Sequence, residues 1–241
     1  MVVSPSTSLG VNLLMSKQML TNYFSSYVDK KKEKSITACK HEYIAFEEHR
    51  TSSIYVLHRG VLKLSTFLKD GKEFNIKLVA PGEIVTLLED ETTSIVSMPF
   101  TICSLSESAE IYLLDRLSFW QDVRSDVLLN EYVRLYYRKN LNIQIRKTCA
   151  LTSNGKLSAV CNLLYELQNL FGKDSVNGRL IDLELSNEEL GKFCGIHNAS
   201  SFNRILRQLK DEKVIEVSSN KILICSLDRL KNMGGSININ F

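Results

Sequence analysis

Hydrophobic and polar positions change their period several times along the chain. From residue 16 to about 34, Met19, Leu20, Tyr23, Phe24 and Tyr27 recur at helical spacing on a polar background. They lead into the charge run Lys30, Lys31, Lys32, which predicts one amphipathic helix with a solvated end. Between Ile36 and Asp115 the period falls to two. Apolar runs at 54–58, 61–68 and 74–79 are closed by Arg59-Gly60, Asp70-Gly71 and Pro81-Gly82. Runs at 95–98, 101–105 and 110–114 continue the series, with Pro99 in a turn. Asp-Gly between apolar runs favours a tight hairpin because glycine takes positive φ without steric cost. Short antiparallel strands over roughly eighty residues imply a small barrel or roll.

From 117 to about 150 the pattern is helical again, and long. The stripe Leu129, Val133, Tyr136, Asn140, Ile143, Lys147, Ala150 alternates spacings of four and three, the seam of a coiled coil formed with a second copy. Asn140 would help fix its register. The same stripe could instead pack on the roll of its own chain; Leu128, Tyr132 and Leu135 offer a second apolar face for that job. Thr152-Ser153-Asn154-Gly155 interrupts the pattern and marks a domain boundary. Beyond it, 156–171 reads as a helix capped by Gly172, 179–185 as a strand, and Ser186 with Glu189 as a capping box opening another helix that ends at Gly195.

Residues 186–215 are the most informative segment. A short helix over 187–194, a turn at Gly195 and a second helix over about 199–210 form the layout in which the second helix enters the DNA major groove. Leu190, Phe193 and Ile196 face Phe202, Ile205, Leu206 and Leu209, and these last four fall within about 100° of one another on the second helix. The opposite face carries Ser200, Arg204 and Arg207, flanked by Ser201 and Asn203. An arginine can donate two parallel hydrogen bonds to guanine O6 and N7, and a serine can contact a base edge or a phosphate, so these five are the DNA-binding candidates, with Arg204 first for base reading. Apolar runs at 214–217 and 221–225, joined by Ser218-Ser219-Asn220, add a wing. Residues 151–241 hold eleven Lys and Arg against ten Asp and Glu, so nonspecific affinity should be modest unless Arg204, Arg207, Lys210, Lys213 and Lys221 segregate into a patch.

The formal net charge of +3 over 241 residues excludes a globally basic mode of nucleic-acid binding. No apolar run approaches a membrane span. Residues 1–15 lack the features of a secretory signal and read as a flexible leader. The six cysteines Cys39, Cys103, Cys149, Cys161, Cys194 and Cys225 lie tens of residues apart without metal-ligand spacing, which fits free thiols in a reducing cytoplasm. His41, His49 and His58 show no H-x-H pair, so a metal-dependent β-barrel enzyme has little support, and no P-loop, G-x-S-x-G or G-x-G-x-x-G sequence occurs. No catalytic or metal-binding residue is assigned.

The order helix, roll, long helix, winged helix-turn-helix resembles the Crp/Fnr family of bacterial transcription regulators across residues 16–233. The roll carries IYVLHRGVLKL from Ile54, Asp70-Gly71, and APGEIV from Ala80. NGKL from Asn154, EELG-x-x-x-GI from Glu188, RIL-x-x-LK-x-EKVI from Arg204 and LDRLK from Leu227 look like the PrfA-like branch of that family, as do the nine steps from Gly195 to Arg204. The resemblance implies an α+β chain. Its parts would be a leader (1–15), a cyclic-nucleotide-binding-like sensor roll (16–116), a dimerisation helix (117–151) and a winged helix-turn-helix domain (152–241). It also implies a cytoplasmic homodimer that reads an inverted-repeat operator in double-stranded DNA and works with RNA polymerase. After Gly82-Glu83 the segment IVTLLEDETTSIVS lacks the phosphate-binding arginine of cyclic-nucleotide relatives, and the cysteine cluster of oxygen sensors is missing. The PrfA-like branch is activated by glutathione held between roll and DNA-binding domain, for which Lys63, Phe67, Tyr132 and Tyr136 are the pocket residues implied. A ligand-binding dimer with degenerate DNA affinity is the alternative that the weak net charge keeps open.

Overall fold

The computed structural model describes residues 16–86, 91–153, 155–218 and 221–235; the leader expected at 1–15 lies outside the described residues. Helix α1 (Lys17–Lys31) begins where Ser16 Oγ accepts the Met19 N–H at 3.1 Å, and it buries Leu20, Phe24 and Val28. The strands of the roll are β1 (Lys34–Cys39), β2 (Tyr43–Ala45), β3 (Arg50–Thr51), β4 (Ser53–Arg59), β5 (Leu62–Phe67), β6 (Glu73–Val79), β7 (Val96–Ser97), β8 (Thr101–Ser104) and β9 (Ser108–Asp115). They pair antiparallel in the orders β1-β9-β4 and β2-β8-β5-β6, with β3 on β7. The interior is filled by Leu57, Leu62, Leu64, Ile102 and Ile111. The Asp70-Gly71 turn joins β5 to β6 as expected.

The single long helix expected from 117 is two helices, α2 (Arg116–Ser125) and α3 (Val127–Ser153). Asp126 between them is extended, and its Oδ1 accepts the N–H groups of Leu128 and Leu129, so it caps the second helix after ending the first. Tyr23 Oη donates to the other oxygen of Asp126 and Tyr27 Oη to Asp122, which ties α1 to this break. Phe119, Trp120 and Val123 anchor α2 on the roll.

The stripe expected to form a seam between copies is largely covered by its own chain. Leu129 is 0% exposed and Val133 is buried beside it, in one cluster with Leu20, Phe24, Phe119 and Trp120. Asn140 Oδ1 accepts a hydrogen bond from Lys77 of β6, Tyr136 packs on the same cluster, and Ile143 turns toward the roll and the next helix. Burial under α1 and α2 fixes this face inward. What α3 leaves outside is a different stripe: Val127 (71% exposed), Tyr137, Leu141 (61%) and Ile145.

The remaining elements are α4 (Gly155–Phe171), β10 (Gly172–Ser175), β11 (Gly178–Ile181), α5 (Asn187–Lys192), α6 (Ala199–Asp211), β12 (Ile215–Ser218), β13 (Lys221–Ile224) and α7 (Leu227–Met233). Gly172 is not the left-handed cap expected after α4. It opens β10 directly, and a Cβ there would stand 2.2 Å from Gln168 O, so close approach is what demands the glycine. The strand expected over 179–185 stops at Ile181; the alternating Leu183 and Leu185 pack on the core instead of continuing the ladder. The sheet runs β10-β11-β13-β12, and the core beneath it takes in Leu78 and Leu105 from the roll. Among the described residues no helix is long and apolar enough to cross a membrane.

Candidate nucleic-acid interface

Ser186 Oγ accepts the Glu189 N–H at 3.1 Å and starts α5, whose first turn carries Glu188 and Glu189. The reciprocal half of the capping box is not made: the Glu189 carboxylate turns to Lys63 and Lys192. After α5 the chain doubles back tightly, with Cys194 N and Ile196 N both donating to Gly191 O at 2.8 and 2.9 Å. A Cβ on Gly191 would meet Ile196 O at 2.5 Å, so this glycine as well as Gly195 shapes the turn. Asn198 caps α6, its Oδ1 accepting the Ser200 N–H at 2.8 Å.

Helix α6 divides cleanly. Phe202, Ile205, Leu206 and Leu209 are buried against Leu190, Phe193, Ile196 and α4. Ser200, Asn203, Arg204 and Arg207 are exposed, and Ser201 is half-buried. Asn203 Oδ1 accepts a 2.6 Å hydrogen bond from Asn187 Nδ2, which ties that residue to α5. Among the described residues neither Arg204 nor Arg207 has an acidic partner, so both guanidinium groups keep their donors for a ligand. Lys221 is not part of such a surface: it pairs with Asp182 at 2.6 Å, and hydrogen bonds from Lys173 and Lys221 hold the Asp182 carboxyl down at about 2. Glu212 accepts from Gln208 and stands 3.8 Å from Arg229, which draws that acid away from the reading face.

The four residues implied as an effector pocket do not meet in one. Lys63 is enclosed in ion pairs with Glu73 and Glu189. Phe67 is about half exposed on the roll, Tyr132 stacks on Phe24 with ring centroids 3.9 Å apart, and Tyr136 packs edge-on against Tyr137. A cavity of about 960 Å³ lies elsewhere, between Ile76 and Lys77 of β6, Arg138, Ile143 and Lys147 of α3, and Glu166 of α4. Burial raises the pKa of Glu166, against the pull of Lys147 and Lys77. Burial also pushes the Cys161 and Cys194 thiols up to about 12, leaving them unreactive, while Cys39 is exposed. His58 stacks on Tyr112, and among the described residues no cluster of His, Cys, Asp and Glu is arranged to hold a metal ion.

A short capped helix, a glycine turn, a second helix with a free polar face and a two-stranded wing define a winged helix-turn-helix DNA-binding protein, carried on a β-roll. Residues 158–233 match the Crp-like helix-turn-helix domain. The chain is 36% identical over 202 residues to the lactate racemization regulatory protein of Lactiplantibacillus plantarum, covering 84% of this chain and 91% of that one. It is 27% identical over 176 residues to the listeriolysin regulatory protein of Listeria monocytogenes, covering 73% and 74% of the two chains. The structure of FixK2 from Bradyrhizobium japonicum superposes with a TM-score of 0.70 at 18% identity, over 83% of this chain and 96% of that one, a likeness of fold. The chain belongs to the Crp/Fnr family: it is a transcription regulator and not an enzyme.

Proposed function

We propose that the chain acts as a cytoplasmic homodimer that binds an inverted-repeat operator through α6 and works with RNA polymerase. Residues 16–116 would serve as the sensor, 117–151 as the dimerisation segment and 152–241 as the DNA-binding domain. The observation that carries the reading is the exposed face of α6, with Ser200, Arg204 and Arg207 backed by a fully buried wedge. Arg204 is the residue best suited to a guanine edge, Ser200 one turn earlier to a base or phosphate, and Ser201, Asn203 and Arg207 to the flanks.

The partner of α3 in this reading is a second copy, as family members are dimers. Val127, Tyr137, Leu141 and Ile145 supply the seam; at 100° per residue they lie within about 80° of arc on the exposed side of α3. The cavity between β6, α3 and α4 is the site for a small effector, its six lysines and arginines outnumbering Glu131 and Glu166 and favouring an acidic molecule. Glutathione, as in the PrfA-like branch the sequence resembles, is the first candidate, and a cyclic nucleotide the least favoured. Selection of bound duplexes from random DNA, with and without reduced glutathione, tests the whole reading. Arg204→Ala should cost about 1–3 kcal/mol on the selected operator, relax preference at one base of each half-site and leave random DNA unaffected. Equal losses on operator and random DNA would remove Arg204 from base reading. No selected sequence at all would favour the ligand-binding dimer.

A further inference from the structure

The helix pair that presents Arg204 is fastened to the roll by a closed ring of charges. Lys63 Nζ on β5 lies 2.8 Å from Glu73 Oε1 on β6, an ion pair without hydrogen-bond alignment, and 3.0 Å from Glu189 Oε2 on α5. Lys192 Nζ, also on α5, lies 2.8 Å from Glu189 Oε1 and 3.2 Å from Glu73 Oε2. Two cations and two carboxylates alternate around the ring, each touching two of the opposite sign within it, and Lys192 also stands 3.8 Å from Glu188 Oε1. Lys63 is only 5% exposed. Asn75 of β6, itself buried, donates from Nδ2 to Glu189 O at 3.1 Å and to Glu189 Oε2 at 3.3 Å.

Taking four charges out of water is costly, and such a ring adds little net stability over an apolar contact. Its return is direction. The other ties across this junction include Leu78 and Leu105 in the shared core, and apolar contact tolerates sliding and rotation. Ion pairs with fixed partners on β5, β6 and α5 admit one orientation. Burial works against the Lys63 charge, and the attraction of Glu73 and Glu189 outweighs it, leaving its pKa raised. The ring also leaves the reading face open: Ser200, Arg204 and Arg207 are exposed while α5 is bound, so the contact orients α6 and does not mask it.

We propose that Lys63, Glu73, Glu189 and Lys192 are positioning residues for DNA reading, setting the orientation of the α5–α6 pair on the roll and thereby the separation of the two recognition helices in the dimer. This rests on the dimeric DNA-binding reading above. Two rigidly held helices match half-sites at one separation, about one helical turn, whereas loosely held ones accept several.

The test measures binding to the selected operator and to the same half-sites moved one base pair closer or farther apart. The unaltered protein should prefer the native separation by about tenfold or more. Lys63→Met, which leaves Lys192 as the one cation shared by Glu73 and Glu189 and removes the tie to β5, and Glu189→Gln, which keeps the Ser186 cap, should each lose that preference while binding random DNA as before. Lys63→Arg should restore it. Melting curves identify folded variants, and Glu189→Gln carries the test if Lys63→Met does not fold. Folded ring variants that retain the native preference for separation overturn the proposal alone. Failure of the unaltered protein to prefer any duplex overturns the DNA reading, and the proposal with it.

Discussion

Helices α3 and α6 are both amphipathic, yet only one could be placed correctly from its pattern. In α6 four apolar residues fall on one side and all the polar ones on the other, so burial has a single solution, and the structure buries Phe202, Ile205, Leu206 and Leu209. In α3 apolar residues occupy two opposite faces. One holds Leu129, Val133 and Tyr136 together with Leu128, Tyr132 and Leu135, the face expected to pack on the roll, and the other Val127, Tyr137, Leu141 and Ile145. Spacing reports that a helix has two partners and not which partner takes which face. The heptad rhythm of the inner stripe was the better coiled-coil pattern, and α1 and the roll cover it.

The sharpest way to break this assignment is a matched pair of substitutions. Val133→Asp places an unpaired charge among Phe24, Trp120 and Leu129, which should cost about 4 kcal/mol or more and abolish the cooperative melt. Leu141→Asp, on the bare face, should give a folded monomer in sedimentation velocity that binds the operator poorly. A folded monomer from Val133→Asp, with Leu141→Asp still dimeric, would return the seam to the inner stripe.

A second pair tests the division of α6 with a smaller effect. Leu206→Ala should lose about 2–5 kcal/mol of stability in denaturant melts, because the cavity beside Phe202 cannot fully collapse. Arg207→Ala should leave the melt unchanged and lower the slope of log affinity against log salt by about one phosphate contact. Equal stability losses would mean that the outer face is structural.

The same contrast marks how far the sequence reaches. The strands β4, β5 and β6, the Asp70-Gly71 hairpin, the Ser186 cap and the α5–α6 wedge were legible because each is specified by its own residues, in apolar alternation or in turn and cap chemistry. Elements specified by distant neighbours were not. Asp126 is a residue type that caps helices, but nothing in its local pattern separates it from an exposed aspartate inside a longer helix; Tyr23 from α1 and the anchoring of α2 on the roll impose the break. Strand β10, Gly-Lys-Asp-Ser, has no β-forming residue and exists as the partner of β11, which β13 holds in place. The family resemblance implies Lys63 as a pocket residue, but its two carboxylate partners lie ten and 126 positions away along the chain, a separation no local pattern reveals. Gly191 belongs to the EELG run from Glu188, though only the Ile196 carbonyl pressed against it explains why it must be glycine.

The smallest effect concerns the start of α6, where local chemistry and DNA reading meet. Asn198 is outside the helix by its backbone, and its side chain satisfies the Ser200 N–H that helix geometry leaves without a partner. Asn198→Ala should therefore lower stability by about 1 kcal/mol, and Asn198→Asp should keep the cap. The same substitution at Ser186, which caps α5, should cost a similar amount in the melt. The two should differ on DNA. Fraying at Asn198 loosens the turn that holds Ser200 and Ser201, so operator binding should weaken beyond the change at Ser186, whose helix stays fixed to the roll through Glu189 and Lys192. Equal effects of the two cap losses on operator binding would mean that the first turn of α6 does not touch the duplex, and would move the contact toward Arg204 and Arg207.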